Sequence, residues 1–111
     1  AATNLFSKAY YDSFIASKNV AIVFDETYGL LDAADFALVT SGTATLETAL
    51  FKLPQVVCYK TNWLTYFAAK LVIKIEYLSL VNILLNKLAV KELIQSELTA
   101  KNLKVELTNL I

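Results

Sequence analysis

The stretch Phe36-Ala37-Leu38-Val39-Thr40-Ser41-Gly42-Thr43-Ala44-Thr45-Leu46-Glu47-Thr48-Ala49-Leu50 decides how this chain folds. An apolar run of β type stops at a Ser-Gly-Thr corner and an amphipathic helical pattern begins at once, which is the wiring of a strand feeding a helix across a tight turn. The first N–H groups of such a helix have no partner inside it. The helix dipole adds partial positive charge there, so an anion such as a phosphate can be held without a basic side chain. Gly42 lets a ligand approach the backbone, and Ser41 or Thr43 can either cap the helix or offer a hydroxyl. Glu47 lies one helical turn beyond Thr43 on the same face. A carboxylate there can accept both hydrogen bonds of a sugar diol while the turn takes phosphates. Ser or Thr followed by Glu at about this spacing is also a helix-capping signal, so the local chemistry leaves capping and ligand binding both open.

Working outward, the chain alternates helix and strand. Ala1 to Ser17 carries Leu5, Ala9, Tyr10, Phe14 and Ile15 at helical spacing, and Lys18-Asn19 then makes a turn. Val20 to Phe24 is a short apolar run rich in β-branched residues, the pattern of a strand buried on both faces. After Asp25-Glu26-Thr27, Tyr28 to Ala34 reads as a short helix. Phe36 to Thr40 is the next strand, Thr43 to Lys52 a helix, Leu53-Pro54 a stop, and Gln55 to Lys60 another strand. Such alternation with short connections implies βαβ crossovers and a parallel sheet flanked by helices, a Rossmann-like α/β fold over a single domain, residues 1–111. Ligands in such sheets gather at the carboxyl ends of the strands. Ser41 to Thr43 lies there.

Beyond Tyr59 the pattern changes. Thr61-Asn62 can cap a helix from Trp63 to about Lys74 that carries Trp63, Leu64, Tyr66, Phe67, Leu71, Val72 and Ile73 among lysines. That face can pack as core or lie on a membrane surface, and the core reading is the more ordinary one. Glu76 to Leu85 begins extended and turns helical near Asn82, Leu88-Ala89-Val90 leads into Lys91 to Gln95, and Thr99 caps a last helix through Leu103, Leu107 and Leu110. No apolar run reaches the length needed to span a bilayer.

Composition bounds the chemistry. The 111 residues are 57% hydrophobic and only 18% charged, an apolar surplus that calls for a buried sheet, a partner or lipid. Lys plus Arg and Asp plus Glu number 10 each, so no field of one sign points to nucleic acid. There is no histidine, which removes the Ser-His triad and most transition-metal sites. The one cysteine, Cys58, sits in the run Gln55-Val56-Val57-Cys58-Tyr59 and reads as a small buried hydrophobe. No Asp-x-Asp pair is present to hold a divalent ion on a nucleotide-sugar, and no cofactor is expected. The chain lacks an initiator Met and a signal-type start, consistent with a piece of a longer protein.

The segments Asp35 to Glu47, Pro54 to Lys60, Tyr77 to Asn82 and Val90 to Gln95, in that order, resemble the C-terminal part of the lipid-A-disaccharide synthase family, and the likeness covers Val20 to the end. The resemblance implies a GT-B glycosyltransferase, two Rossmann-like domains around a cleft, with this part holding the donor nucleotide. Such an enzyme is cytoplasmic and associated with the inner membrane, and moves an acylated glucosamine from UDP to the acceptor lipid X. Ser41, Gly42 and Thr43 would face the UDP phosphates, Glu47 would take the ribose hydroxyls, and Asn82 would border the cleft. Two departures stand out: Val81 occupies the place where the family pattern has proline, and Leu85-Asn86-Lys87 replaces a glycine-containing stretch. With the acceptor domain and catalytic base outside these residues, the chain is expected to be inactive by itself. Two rivals stand beside this reading: another UDP-sugar transferase, such as the peptidoglycan N-acetylglucosaminyltransferase, and a non-catalytic α/β interaction domain. An open sheet edge could further pair two copies into a homodimer.

Overall fold

The computed structural model describes residues 1–17, 19–72 and 76–111. Lys18 of the expected first turn, and Ile73 and Lys74 of the expected aromatic helix, lie outside the described residues. The chain divides into two compact units, Ala1–Ala34 and Asp35–Ile111.

None of the described residues of the first unit is fully buried. Its helix α1 (Lys8–Asp12) is much shorter than the run to Ser17 that periodicity suggested; Ser7 caps it, accepting from Tyr10 N–H. Aromatic contacts organise the unit: Phe6 stacks on Tyr10, and Tyr11 meets both Phe6 and Phe24 edge-on. Val20 to Phe24, expected as a buried strand, makes a single parallel bridge among the described residues, Ala2 with Phe24. The physical reason is the lack of a partner strand, since a strand needs a neighbour to complete its ladder; Asp25, with φ of 55°, then turns the chain away after Phe24. Helix α2 (Thr27–Ala33) follows, one residue displaced from its expected position.

The second unit carries the sheet. Strands β1 (Ala37–Thr40), β2 (Gln55–Tyr59) and β3 (Lys91–Ile94) lie in the order β1-β2-β3, all parallel. Register pairs Ala37 with Gln55 and Thr40 with Cys58, then Val56 with Lys91 and Tyr59 with Ile94. Successive residues of a strand face opposite sides, so the burial of both Val56 (0% exposed) and Val57 (1%) shows that β2 is covered on both faces. Cys58 is half-buried beside them, and burial pushes its thiol up, away from reactivity. On β1 only Val39 is buried, while Leu38 and Thr40 on the other face are exposed.

Helix α3 (Ala44–Leu50) joins β1 to β2 and packs on both. Its buried Thr45 and Thr48 satisfy their hydroxyls on the carbonyls of Gly42 and Ala44, which lets polar residues sit in the core at no hydrogen-bond deficit. Helix α4 (Trp63–Val72) leaves Trp63, Leu64 and Phe67 exposed, so the core-packing expectation fails for these three. Helix α5 (Leu80–Leu85) starts two residues before Asn82, because Ser79 caps it through the Asn82 N–H. It ends at Asn86 in the left-handed conformation, φ 48°. Asparagine tolerates this conformation better than most residues, so Asn86 takes a role usually filled by glycine at a helix end. Helix α6 (Ala100–Leu110) is capped by Thr99 as expected and packs on β2 and β3. Among the described residues no helix is long and apolar enough to cross a membrane.

Candidate functional site

The Ser41-Gly42-Thr43 turn sits at the carboxyl end of β1, between that strand and α3. Ser41 N–H donates to Cys58 O at 3.1 Å, adding one more rung to the β1–β2 ladder. The next three N–H groups, of Gly42, Thr43 and Ala44, have no hydrogen-bond partner among the described residues; bonding resumes with Thr45 N–H to Gly42 O. Thr43 is the N-cap by position but takes a helical conformation, φ −60° and ψ −28°, and makes no side-chain cap. The Ser41 hydroxyl instead donates to Leu78 O at 3.3 Å. The capping alternative therefore finds no bond to support it, and the free donors remain available to an anion.

Gly42 has φ of 150°, a conformation side chains rarely adopt, and a Cβ placed there would meet nothing within 4 Å. Glycine is needed here for its backbone, and the space beside it is open to a ligand. Glu47 is half-buried one turn along α3, and its carboxylate makes no hydrogen bond or ion pair among the described residues. Ser41, Gly42, Thr43 and Glu47 are thus gathered on one turn and the first part of one helix.

Asn82 is placed differently. It is wholly buried, and every hydrogen-bonding position of its amide is taken. Nδ2 donates to Val90 O and Glu92 Oε1, both at 2.8 Å, while Oδ1 accepts from Ala89 N–H at 2.8 Å and Val90 N–H at 2.9 Å. Asn82 clamps the connection between α5 and β3.

The partner of that clamp, Glu92, is a residue that sequence reasoning missed. Its carboxylate, 8% exposed, accepts from Leu78 N–H at 2.9 Å, Ser79 N–H at 2.8 Å and Asn82 Nδ2. Burial works against its ionisation and is the largest single influence. The Ser79 and Leu78 amides, with the Ser79 and Asn82 side chains, outweigh burial and hold the carboxyl below the usual glutamate range. The available signal was an acid inside the run Val90 to Ile94; of the two adjacent charges there, Lys91 is exposed and Glu92 is buried.

At the same end of the sheet, Gln95 follows β3 with φ of 52° and accepts from Thr61 N–H through Oε1 at 3.0 Å. Among the described residues its buried Nε2 has no partner, nor has Oε1 of Gln55 at the opposite end of β2.

A parallel sheet under helices, with unpartnered N–H groups where its first strand turns into a helix, defines a Rossmann-like α/β fold of the kind that binds ligands at its strand ends. Comparison with known proteins fixes the class further. The lipid-A-disaccharide synthetase family matches residues 8–111, and the chain belongs to that family. It is 38% identical over 104 residues to lipid-A-disaccharide synthase 1 of Legionella pneumophila, covering 92% of this chain and 26% of that protein. It is 44% identical over 90 residues to lipid-A-disaccharide synthase of Psychromonas ingrahamii, covering 80% of this chain and 24% of the relative. With the Anaeromyxobacter sp. enzyme of the same name, identity is 40% over 92 residues, 83% of this chain and 24% of the relative. The chain therefore spans about a quarter of the length of these relatives.

Proposed function

We propose that this chain is the donor-nucleotide part of a lipid-A-disaccharide synthase, an enzyme of lipid A biosynthesis with GT-B architecture. The observation that carries the reading is the set of three unpartnered N–H groups at Gly42, Thr43 and Ala44, with the unbonded Glu47 carboxylate one turn further along. The free N–H groups receive the UDP phosphates, and Gly42 allows the close approach this needs. Glu47 accepts from the ribose hydroxyls. Asn82 acts from beneath, by holding the loop that supports the turn.

The donor is a UDP-linked 2,3-diacylglucosamine and the acceptor is lipid X. The acceptor hydroxyl displaces UDP at the anomeric carbon in one inverting step: the new glycosidic bond forms as the bond to the phosphate oxygen breaks. Backbone N–H groups stabilise the negative charge that develops on the leaving phosphate. The acceptor domain and catalytic base belong to the rest of the enzyme, so this chain is inactive by itself. The exposed Trp63, Leu64 and Phe67 on α4 support a peripheral contact with the inner membrane, where both acylated substrates reside.

The test is an assay of a full-length enzyme carrying this chain, supplied with UDP-2,3-diacylglucosamine and lipid X. Disaccharide and UDP should form together, and Glu47→Ala should raise KM for the donor. Turnover only with a peptidoglycan-type lipid acceptor would overturn the proposal in favour of the related UDP-sugar transferase.

A further inference from the structure

We propose that Glu92 is the positioning residue of the phosphate-binding turn, acting through Leu78 on Ser41. The inference rests on the donor-site reading above. Glu92 belongs to β3, and β3 is tied by its ladder to β2, where Val57 is its register partner. From this rigid base the carboxylate takes the N–H groups of Leu78 and Ser79. Leu78 is then pinned at both ends, since its carbonyl accepts from the Ser41 hydroxyl at 3.3 Å. Ser41 is held in turn at two points, by that bond and by its own N–H on Cys58 O. The turn that presents the free N–H groups of Gly42, Thr43 and Ala44 is thus suspended between β2 and a loop whose place Glu92 sets.

The choice of a carboxylate has a physical logic. A buried charge is tolerated only when its lone pairs are filled, and no cation does so here: the ion pairs among the described residues are Lys8–Asp12 and Lys91–Glu106. All the compensation comes from donors of the segment Leu78 to Asn82, the approach to α5 and its first turn, so the charge acts to order that segment. Val81, 6% exposed in the core, and Asn82 lie in the first turn of α5, so the same bonds fix where that helix begins. Displacement of a binding group by as little as about 1 Å is enough to degrade a site of this kind.

The experiment compares UDP affinity, read from amide NMR shifts, in the wild-type chain, Glu92→Gln, Ser41→Ala and the double variant, with thermal melts to establish that each is folded. Glu92→Gln keeps the side-chain volume but presents an NH2 group to a ring of donors. It should weaken UDP binding about tenfold, the order expected when hydrogen bonds to a charged group are lost. Ser41→Ala cuts the link at its more exposed end and keeps the fold, so it serves even if Glu92→Gln fails to fold. It should weaken binding about threefold or more, and the two changes together should fall well short of the product of the single effects. A merely structural Glu92 would lower the melting temperature and leave the affinity of the folded protein, and its coupling to Ser41, unchanged. An unaltered affinity in folded Glu92→Gln or in Ser41→Ala, or fully multiplicative losses, overturns the proposal while the donor-site reading stands. Absence of UDP binding by the wild-type chain overturns both.

Discussion

Asn82 Nδ2 and Glu92 Oε1 lie 2.8 Å apart, both side chains are buried, and between them they bond the main chain on both sides of α5, at Leu78 and Ser79 before it and at Ala89 and Val90 after it. The pair joins two otherwise separate tasks. Asn82 holds the backbone at Ala89 and Val90, and Glu92 holds it at Leu78 and Ser79. The segments on either side of α5 therefore share a buried polar cluster whose hydrogen bonds are made by protein groups.

Because every position of its amide is used, Asn82→Ala should be among the most destabilising single changes in the second unit. Four hydrogen bonds are lost, and the Glu92 carboxylate and three main-chain groups lose a partner in a buried place. A loss of about 3 kcal/mol is expected in urea unfolding. A change under about 0.5 kcal/mol, the scale of an ordinary surface substitution, would contradict the closed network.

Glu92 gives the fold a defined response to acid. Its carboxyl is held below the usual glutamate value of about 4.3, so the folded state favours the ionised form. The stabilisation is fully present above the unfolded value and is lost as pH falls through the lower folded one. Unfolding free energy should thus decline below about pH 4.5, and Glu92→Gln should be less stable at pH 7 with a flatter acid limb. Parallel acid limbs in the two proteins would contradict this assignment.

Gly42→Ala separates backbone from space. The added methyl meets no atom within 4 Å, but the φ of 150° is strained for any side chain. Stability should fall by about 1 kcal/mol, and under the proposed donor site UDP affinity should fall further than that strain accounts for, because the methyl would stand in the phosphates' approach. Thermal unfolding and UDP titration of the same sample check both halves.

Strand and turn order were legible because they rest on local signals. The apolar run ending at Ser41-Gly42-Thr43, the Leu53-Pro54 stop and the Thr99 cap each punctuate the chain through backbone chemistry that a sequence displays. Two kinds of feature escaped. Val20 to Phe24 has the composition of a strand, but strand formation depends on a partner supplied from elsewhere, and here only Ala2 provides one rung. Glu92 escaped because its donors come from residues 10 to 14 positions earlier, brought to it only by the fold. A still longer separation, 37 positions, hid the Ser41 to Leu78 bond, which replaced the local cap that the motif suggested.

Trp63 is the only tryptophan and is 74% exposed, so it reports on its own surroundings. If α4 meets the bilayer surface, vesicles containing anionic lipid should shift its fluorescence to the blue, and Trp63→Ser with Phe67→Ser should weaken vesicle binding at least about tenfold. Emission unchanged at saturating lipid would remove α4 from the membrane.

The most direct test of the central claim is titration of the folded 111-residue chain with UDP, followed at backbone amides and repeated with Glu47→Ala. The donor-site account predicts shifts concentrated at Gly42, Thr43 and Ala44, extending to Glu47, and clearly weaker binding in the variant. Unshifted amides at millimolar UDP, or binding that leaves this turn untouched, would contradict it.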